Sequence, residues 1–248
     1  MKEHETAPHS LSEPDAGSEN AAASRLDPHA VFRGARLIIL GGTGFLGKLF
    51  WIMLLERFPE IAQIDLLVRS GKGKTSEQRF WAEVATSEAL EPLRKQHGDG
   101  FEAFLRSKIV PFDGDVGRPL CGVSPENISK FHGASAVVNV AGVVDFNPPL
   151  DEALDTNAFG TTNLIEFCRA LGDVPLYQTS TCYVVGNRSG LVEEVLPSSF
   201  PFPRAQELGR ELWDPEREIA DCLSIIASAR ARAEDGFRQS EFLEAAKK

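Results

Sequence analysis

The 248-residue chain carries a formal net charge of −10, with 42% hydrophobic and 25% charged residues. That make-up fits a soluble globular protein of one domain, or one large domain with an appendage, and its acidity argues against nucleic acid, which needs a basic face. Four scattered cysteines (Cys121, Cys168, Cys182, Cys222) form no C-x-x-C pair, and the five histidines have no metal-ligand spacing, so neither a disulfide framework nor a metal site is expected.

Residues 1–33 begin with a Ser-, Glu-, Ala- and Pro-rich stretch without apolar period, expected to be a disordered tail. No charged region followed by an apolar one marks a secretory signal. The most apolar run, Phe45 to Leu55, is interrupted by Gly47 and Lys48 and falls short of the roughly 20 residues a membrane crossing needs. A cytoplasmic location is expected, with membrane association left open.

From residue 34 strand and helix patterns alternate. Arg36–Leu40 is a short apolar strand, and Phe45–Phe58 a helix stopped at Pro59. Ile64–Val68 is a second strand, residues 76–107 carry weak helical patterns, and Lys108–Phe112 is a third strand. Ala136–Val140 is a fourth, Leu150–Leu171 a helix on a 3–4 spacing, and Val174–Thr179 a fifth strand. Strands separated by helix-length segments imply parallel crossovers. The expected fold is α/β, a Rossmann-like doubly wound parallel sheet over 34–200, incomplete at its C-terminal end.

Residues 201–248 form a helical excursion in this reading. A proline-punctuated stretch, "LVEEVLPSSFPFPRAQEL", runs from residue 191 into its start and is expected to wrap a surface or line a pocket. Asp214-Pro215 then reads as a cap with proline in the first turn. Ile219, Cys222, Leu223 and Ile226 form an apolar stripe expected to face a core, and Gly236 is a candidate stop.

The stretch "RLIILGGTGFLGKLF" runs a buried-type strand into Gly41, Gly44 and Gly47 and then into a helix. In such a unit the first glycine permits a tight turn, the second lets backbone approach a pyrophosphate, and the third lets helix pack on strand. Free amides at the helix start then face the anion. The spacing alone is weak evidence, but its place between strand and helix points to a dinucleotide. Arg69 stands 22 residues after Gly47, followed by Ser70, Lys72 and Lys74. An NAD enzyme would place an acid there for the ribose 2′-hydroxyl, whereas a guanidinium suits a 2′-phosphate. NADPH is therefore the expected cofactor.

The glycine spacing resembles that of the extended short-chain dehydrogenase/reductases. "GGTGFLGK", "LLVRSGKGKTSEQRF", "KIVPFDGDV", "VVNVAGVVDFNPPLDEALDTNAFGTTNLIEFC" and "QTSTCYVVGNRSGLVEE" occur in the order found in the fatty acyl-CoA reductases and their thioester-reductase relatives. The resemblance covers about Arg36 to Glu194. It implies NADPH-dependent reduction of an acyl-CoA, or an acyl-carrier thioester, to aldehyde or alcohol. It also implies that Gly41, Thr43, Gly44, Phe45, Leu46 and Gly47 line the pyrophosphate and Arg69 takes the 2′-phosphate. By the same resemblance Asp115 and Val116 flank the adenine, and Ala141 and Gly142 pack near the nicotinamide ribose. Asn157 sits beside the active site, and Thr181, with its neighbour Ser180, hydrogen-bonds the substrate carbonyl.

The family's tyrosine proton donor and the lysine four residues after it are not found: four residues after Tyr177 comes Thr181, and after Tyr183 comes Asn187. A phenol near its ordinary pKa is a poor proton donor at neutral pH without such help. The favoured expectation is that the chain stops before the pair, is inactive alone, and exposes its fifth strand as an aggregation-prone edge. The alternatives are a nucleotide binder that has lost catalysis and, further off, a sugar-nucleotide epimerase or dehydratase.

Overall fold

Five short strands, the central ones rich in Leu, Ile and Val, form one sheet in the computed structural model, which describes residues 27–71, 73–185, 189–193 and 214–234. They are β1 (Arg36–Leu40), β2 (Gln63–Val68), β3 (Ile109–Asp113), β4 (Ala136–Asn139) and β5 (Leu176–Gln178). The spatial order is β3-β2-β1-β4-β5, and every pairing is parallel. β1 is central, with Ile39 level with Leu66 on one side and Val138 on the other.

Both faces of the sheet are covered, which explains why β1 is continuously apolar from Leu37 to Leu40 rather than alternating. Leu37 and Ile39 face a cluster with Trp51, Leu55, Phe80 and Leu105. Ile38 and Leu40 face another, with Phe131, Leu164 and Phe167. Each such side chain contributes roughly 1.5–3 kcal/mol by leaving water. The expected doubly wound architecture is what forms.

The helix α1 (Pro28–Phe32) lies inside the expected N-terminal tail and moves its boundary. Asp27 caps it, accepting from the His29 amide at 3.0 Å, and Phe32 packs on Phe58 with ring centroids 4.7 Å apart. α2 (Phe45–Arg57) follows β1 and buries Trp51, Ile52, Leu54 and Leu55. Between β2 and β3 run α3 (Ser76–Arg79), which continues into a π-helical turn over Phe80–Val84, then α4 (Glu91–His97) and α5 (Phe101–Lys108). Thr75 and Gln78 cap α3 reciprocally, satisfying two amides that would otherwise lack partners.

The expected helix over 150–171 exists as α6 (Leu150–Ala153), a π-helical turn (Leu154–Phe159) and α7 (Gly160–Ala170). β5 is shorter than Val174–Thr179 and is the edge strand of the described sheet, with Tyr177 63% exposed. α8 (Pro215–Glu234) starts as expected, with Asp214 Oδ1 accepting from the Glu216 and Arg217 amides. Its stripe does not enter a core: no residue of α8 is buried, and Leu223 is 46% exposed. Ile219, Cys222 and Ile226 are half-buried, and Arg230 ties the helix to Asp151 at 2.8 Å. Most of the proline-punctuated stretch and Gly236 lie outside the described residues.

One buried charge escaped the sequence reading. Asp65 in β2 is fully buried, bonded by Arg36 Nε at 2.7 Å and Gln63 Nε2 at 2.5 Å. Burial pushes its carboxyl above the ordinary value, and the bonds from Arg36 and Gln63 offset part of that shift. Arg36 also donates to the Lys130 and His132 carbonyls, so one guanidinium joins β1, β2 and the segment leading to β4.

Candidate functional site

The strand order reverses between β1 and β4, and ligands of such sheets bind beyond the carboxyl ends of the strands at that point. There the chain forms a cleft of about 380 Å³ between the glycine loop, the β2 and β3 exits, and the segment after β4.

Gly41 turns the chain out of β1 at φ +79°, a conformation that L side chains adopt at a cost of roughly 1–2 kcal/mol. It also abuts the β4 exit: an added Cβ would stand 2.6 Å from the Val140 carbonyl carbon and overlap the Ala141 amide. At Gly47 an added Cβ would strike the Gly41 carbonyl, so α2 could not pack this close to the loop with any other residue. Gly44 is the N-cap of α2 and has no side chain to cap with. The first helical bond runs from Lys48 N to Gly44 O, which leaves the amides of Phe45, Leu46 and Gly47 without intrahelical partners. Together with the helix dipole these make an anion-binding end. The side chains of Phe45 and Leu46 are exposed and do not line the cleft; what these residues can offer an anion is their backbone amides.

Trp51 supports the loop from below. Fully buried in α2, it donates Nε1–H to Gly42 O at 2.9 Å. An aromatic in the second turn of the helix with one polar atom is the signal that was available for it.

Arg69, just past β2, lines the cleft and also an adjoining depression of about 540 Å³ with Asp115, Gly117, Arg118, Asp151, Glu152 and Asp155. Its loop is anchored at both ends. Ser70 N and Oγ donate to Asp113 at 2.9 and 3.2 Å, and Arg79 donates to the Arg69 carbonyl. Lys74 pairs with Glu83 at 3.2 Å; Lys72 lies outside the described residues. Asp115 is shaped by a turn in which its amide donates to Cys121 O at 2.7 Å and its Oδ1 accepts from Gly117 N at 3.1 Å. Val116 is buried, and Asn163 holds its carbonyl at 2.9 Å.

Two asparagines set the opposite wall. Asn139, buried at the end of β4, donates to Ala141 O and to Gln178 Oε1 and accepts from Ala141 N. It thereby fixes Ala141 against Gly41 and ties the β4 exit to β5. Asn157, in the π-helical turn, bonds both the amide and the carbonyl of Val143.

Of the residues singled out from sequence, the cleft brings together Gly41, Thr43, Gly44, Arg69, Asp115, Val116, Ala141 and Gly142. Gly47 packs beneath the loop, and Asn157 reaches the wall through Val143. Ser180 and Thr181 are exposed just past β5 and are not among the residues lining the cleft; Thr181 Oγ1 lies 3.4 Å from Tyr183 N. Asn139, Glu152 and Thr156 were missed: an asparagine at a strand end and polar residues on a helix carry no signal of which side they face.

A family model described as male sterility protein, an NAD-binding family, matches residues 39–239. Fatty acyl-CoA reductase 2, chloroplastic, of Arabidopsis thaliana is 31% identical over 166 residues, covering 65% of this chain and 27% of that protein. The alcohol-forming fatty acyl-CoA reductase of Simmondsia chinensis is 28% identical over 162 residues, covering 64% and 33%. The chain thus spans about a third of the length of the curated relatives it matches. Among solved structures, the terminal R domain from the myxalamid PKS-NRPS biosynthetic pathway is 27% identical with a TM-score of 0.52, covering 69% of this chain and 42% of that one. With a switch-point cleft, a glycine loop under a helix N-terminus and a family match over most of its length, the chain belongs to the NAD-binding male sterility protein family, whose relatives here include fatty acyl-CoA reductases.

Proposed function

We propose that the chain is the cofactor-binding part of an NADPH-dependent reductase of fatty acyl-CoA thioesters, which yields fatty aldehyde, fatty alcohol or both. The observation that carries this reading is the contact of Gly41 with Ala141, where any side chain would collide. It brings the glycine loop against the β4 exit and shapes one cleft lined by the loop, Arg69, Asp115 and Ala141–Gly142. The residues present fit the dinucleotide: bare amides at the α2 N-terminus suit a pyrophosphate, and Ala141 and Gly142 leave room for the nicotinamide ribose. When bound, the cofactor supplies a hydride.

Arg69 is the residue assigned to the 2′-phosphate. It sits where an acid would repel that group, and its loop is held in place by Asp113 and Arg79. Asp115 and Val116 bound the adenine end. Thr181, with Ser180 beside it, is assigned to the carbonyl oxygen of the substrate, where a hydroxyl donor stabilises charge as it develops. Catalysis further requires a tyrosine–lysine pair, and no Y-x-x-x-K occurs in the sequence. Likeness to an R domain of a synthase pathway favours, as the second reading, a thioester carried on a protein instead of CoA.

Titration with NADPH and NADH tests the cofactor assignment. Tighter binding of NADPH, reduced about tenfold or more in Arg69→Ala with NADH unchanged, is the expected result. A preference for NADH overturns it.

A further inference from the structure

Beside the cofactor cleft, large apolar side chains stand in solvent. Val144 and Phe146 are each 89% exposed, and Tyr183 is 69% exposed. Phe146 and Tyr183 meet edge to face with centroids 6.4 Å apart, although they come from different loops, one leaving β4 and the other leaving β5. Val144 also lines the cleft, next to Val143 and Asp145. The patch is thus a lip continuous with the cleft.

The exposure is not the fraying of a loose loop. Asn157 grips Val143 on both sides, Asn139 holds Ala141, and Asp145 Oδ1 accepts from Asn147 N at 3.0 Å. A loop tied down at its base while presenting Val and Phe to water is arranged for something apolar to cover it. Its chemistry also says what does not belong there. The run Val143–Leu150 contains Asp145 and no lysine or arginine, so it has nothing to offer the phosphates of a CoA moiety.

We infer that Val144, Phe146 and Tyr183 form the entrance that receives the hydrocarbon chain of the acyl thioester. The inference rests on the proposed function and adds where, and by which end, the substrate enters. Thr181, assigned to the carbonyl, stands two residues before Tyr183 and within 3.4 Å of its amide. A carbonyl held there sends its alkyl chain over the two rings, while the charged CoA end leaves in another direction.

The test is calorimetric titration of the 248-residue chain with hexadecanoyl-CoA, below its micelle-forming concentration, and with acetyl-CoA. The expected result is at least tenfold tighter binding of the long ester. Phe146→Ser and Tyr183→Ser should each remove about tenfold of that preference while leaving the affinity for NADPH unchanged. Leu223→Ser, on the exposed face of α8, should change neither and controls for general adhesion of lipid. Because the substituted side chains are solvent-exposed, thermal midpoints should match the parent and show that loss of binding is not loss of fold. Equal affinity for the two esters, or an unchanged preference in both lip variants, overturns the inference. So does failure of hexadecanoyl-CoA to bind a chain that does bind NADPH. Failure to bind NADPH and NADH strikes instead at the proposed function, and is read separately.

Discussion

The side-chain amide of Asn157 bonds Val143 at both ends: Oδ1 accepts from Val143 N at 2.9 Å, and Nδ2 donates to Val143 O at 3.0 Å. The geometry reproduces a backbone ladder pair with a side chain. It is reached because Asn157 sits in a π-helical turn, where the extra residue per turn rotates side chains away from their α-helical directions. A functional position in the family resemblance thus also holds the wall of the cleft.

Replacing Asn157 with Ala therefore removes two bonds from an exposed segment. Each contributes about 0.5–1.5 kcal/mol net, so a loss of about 1–3 kcal/mol in urea denaturation is expected, together with several-fold weaker NADPH binding. Asn157→Asp keeps the acceptor for Val143 N but presents a carboxylate to Val143 O. It should recover none of the cofactor affinity at neutral pH. Full affinity in Asn157→Ala would show that the loop holds its shape without the clamp.

The glycines separate conformational strain from collision. Gly34 has φ +69° with open space around it, whereas Gly41 has φ +79° and no room for a Cβ. Gly34→Ala should cost about 1 kcal/mol, the penalty of a left-handed L residue. Gly41→Ala adds overpacking of about 1–3 kcal/mol and opens the contact with Ala141. Gly47→Ala, whose Cβ would meet the Gly41 carbonyl, suffers the collision without the positive φ. Denaturation midpoints should rank Gly34→Ala as the mildest, and NADPH affinity should fall only in the other two.

Asp65 gives the fold a pH signature. Its folded-state carboxyl titrates above the ordinary value of 3.8 because burial disfavours the charge. Between that value and the raised one the folded state holds more protons than the unfolded chain, so this group's contribution to stability falls as pH rises through that window. Above the window its contribution is constant. Asp65→Asn should abolish this component of the stability–pH curve just above pH 3.8. At neutral pH it also loses the charge-assisted bond from Arg36, a cost of about 2 kcal/mol. Equilibrium denaturation of both proteins from pH 3.5 to 7 checks the slope and the offset; an unchanged slope would mean that Asp65 titrates normally.

Local pattern was enough to read the strand–glycine–helix opening, four strands to within about a residue and the helical run from Leu150. These depend on neighbours in sequence: an apolar run, a 3–4 spacing, a glycine between them. The glycine spacing also predicted where a tight loop would meet a helix N-terminus, because both are made by the same few residues. The places where reading stopped involve residues far apart in the chain. Nothing near Gly41 announces that Ala141 will press against it, nor does anything near Asn139 announce Gln178. Asp65 looks like an interruption of an apolar strand until Arg36 is placed beside it. The short β5, the half-buried stripe of α8 and the pairing of Phe146 with Tyr183 likewise follow from which surfaces are covered. Periodicity reports which residues share a face; only packing decides what that face meets, since contact energies depend on partners brought together by the completed sheet.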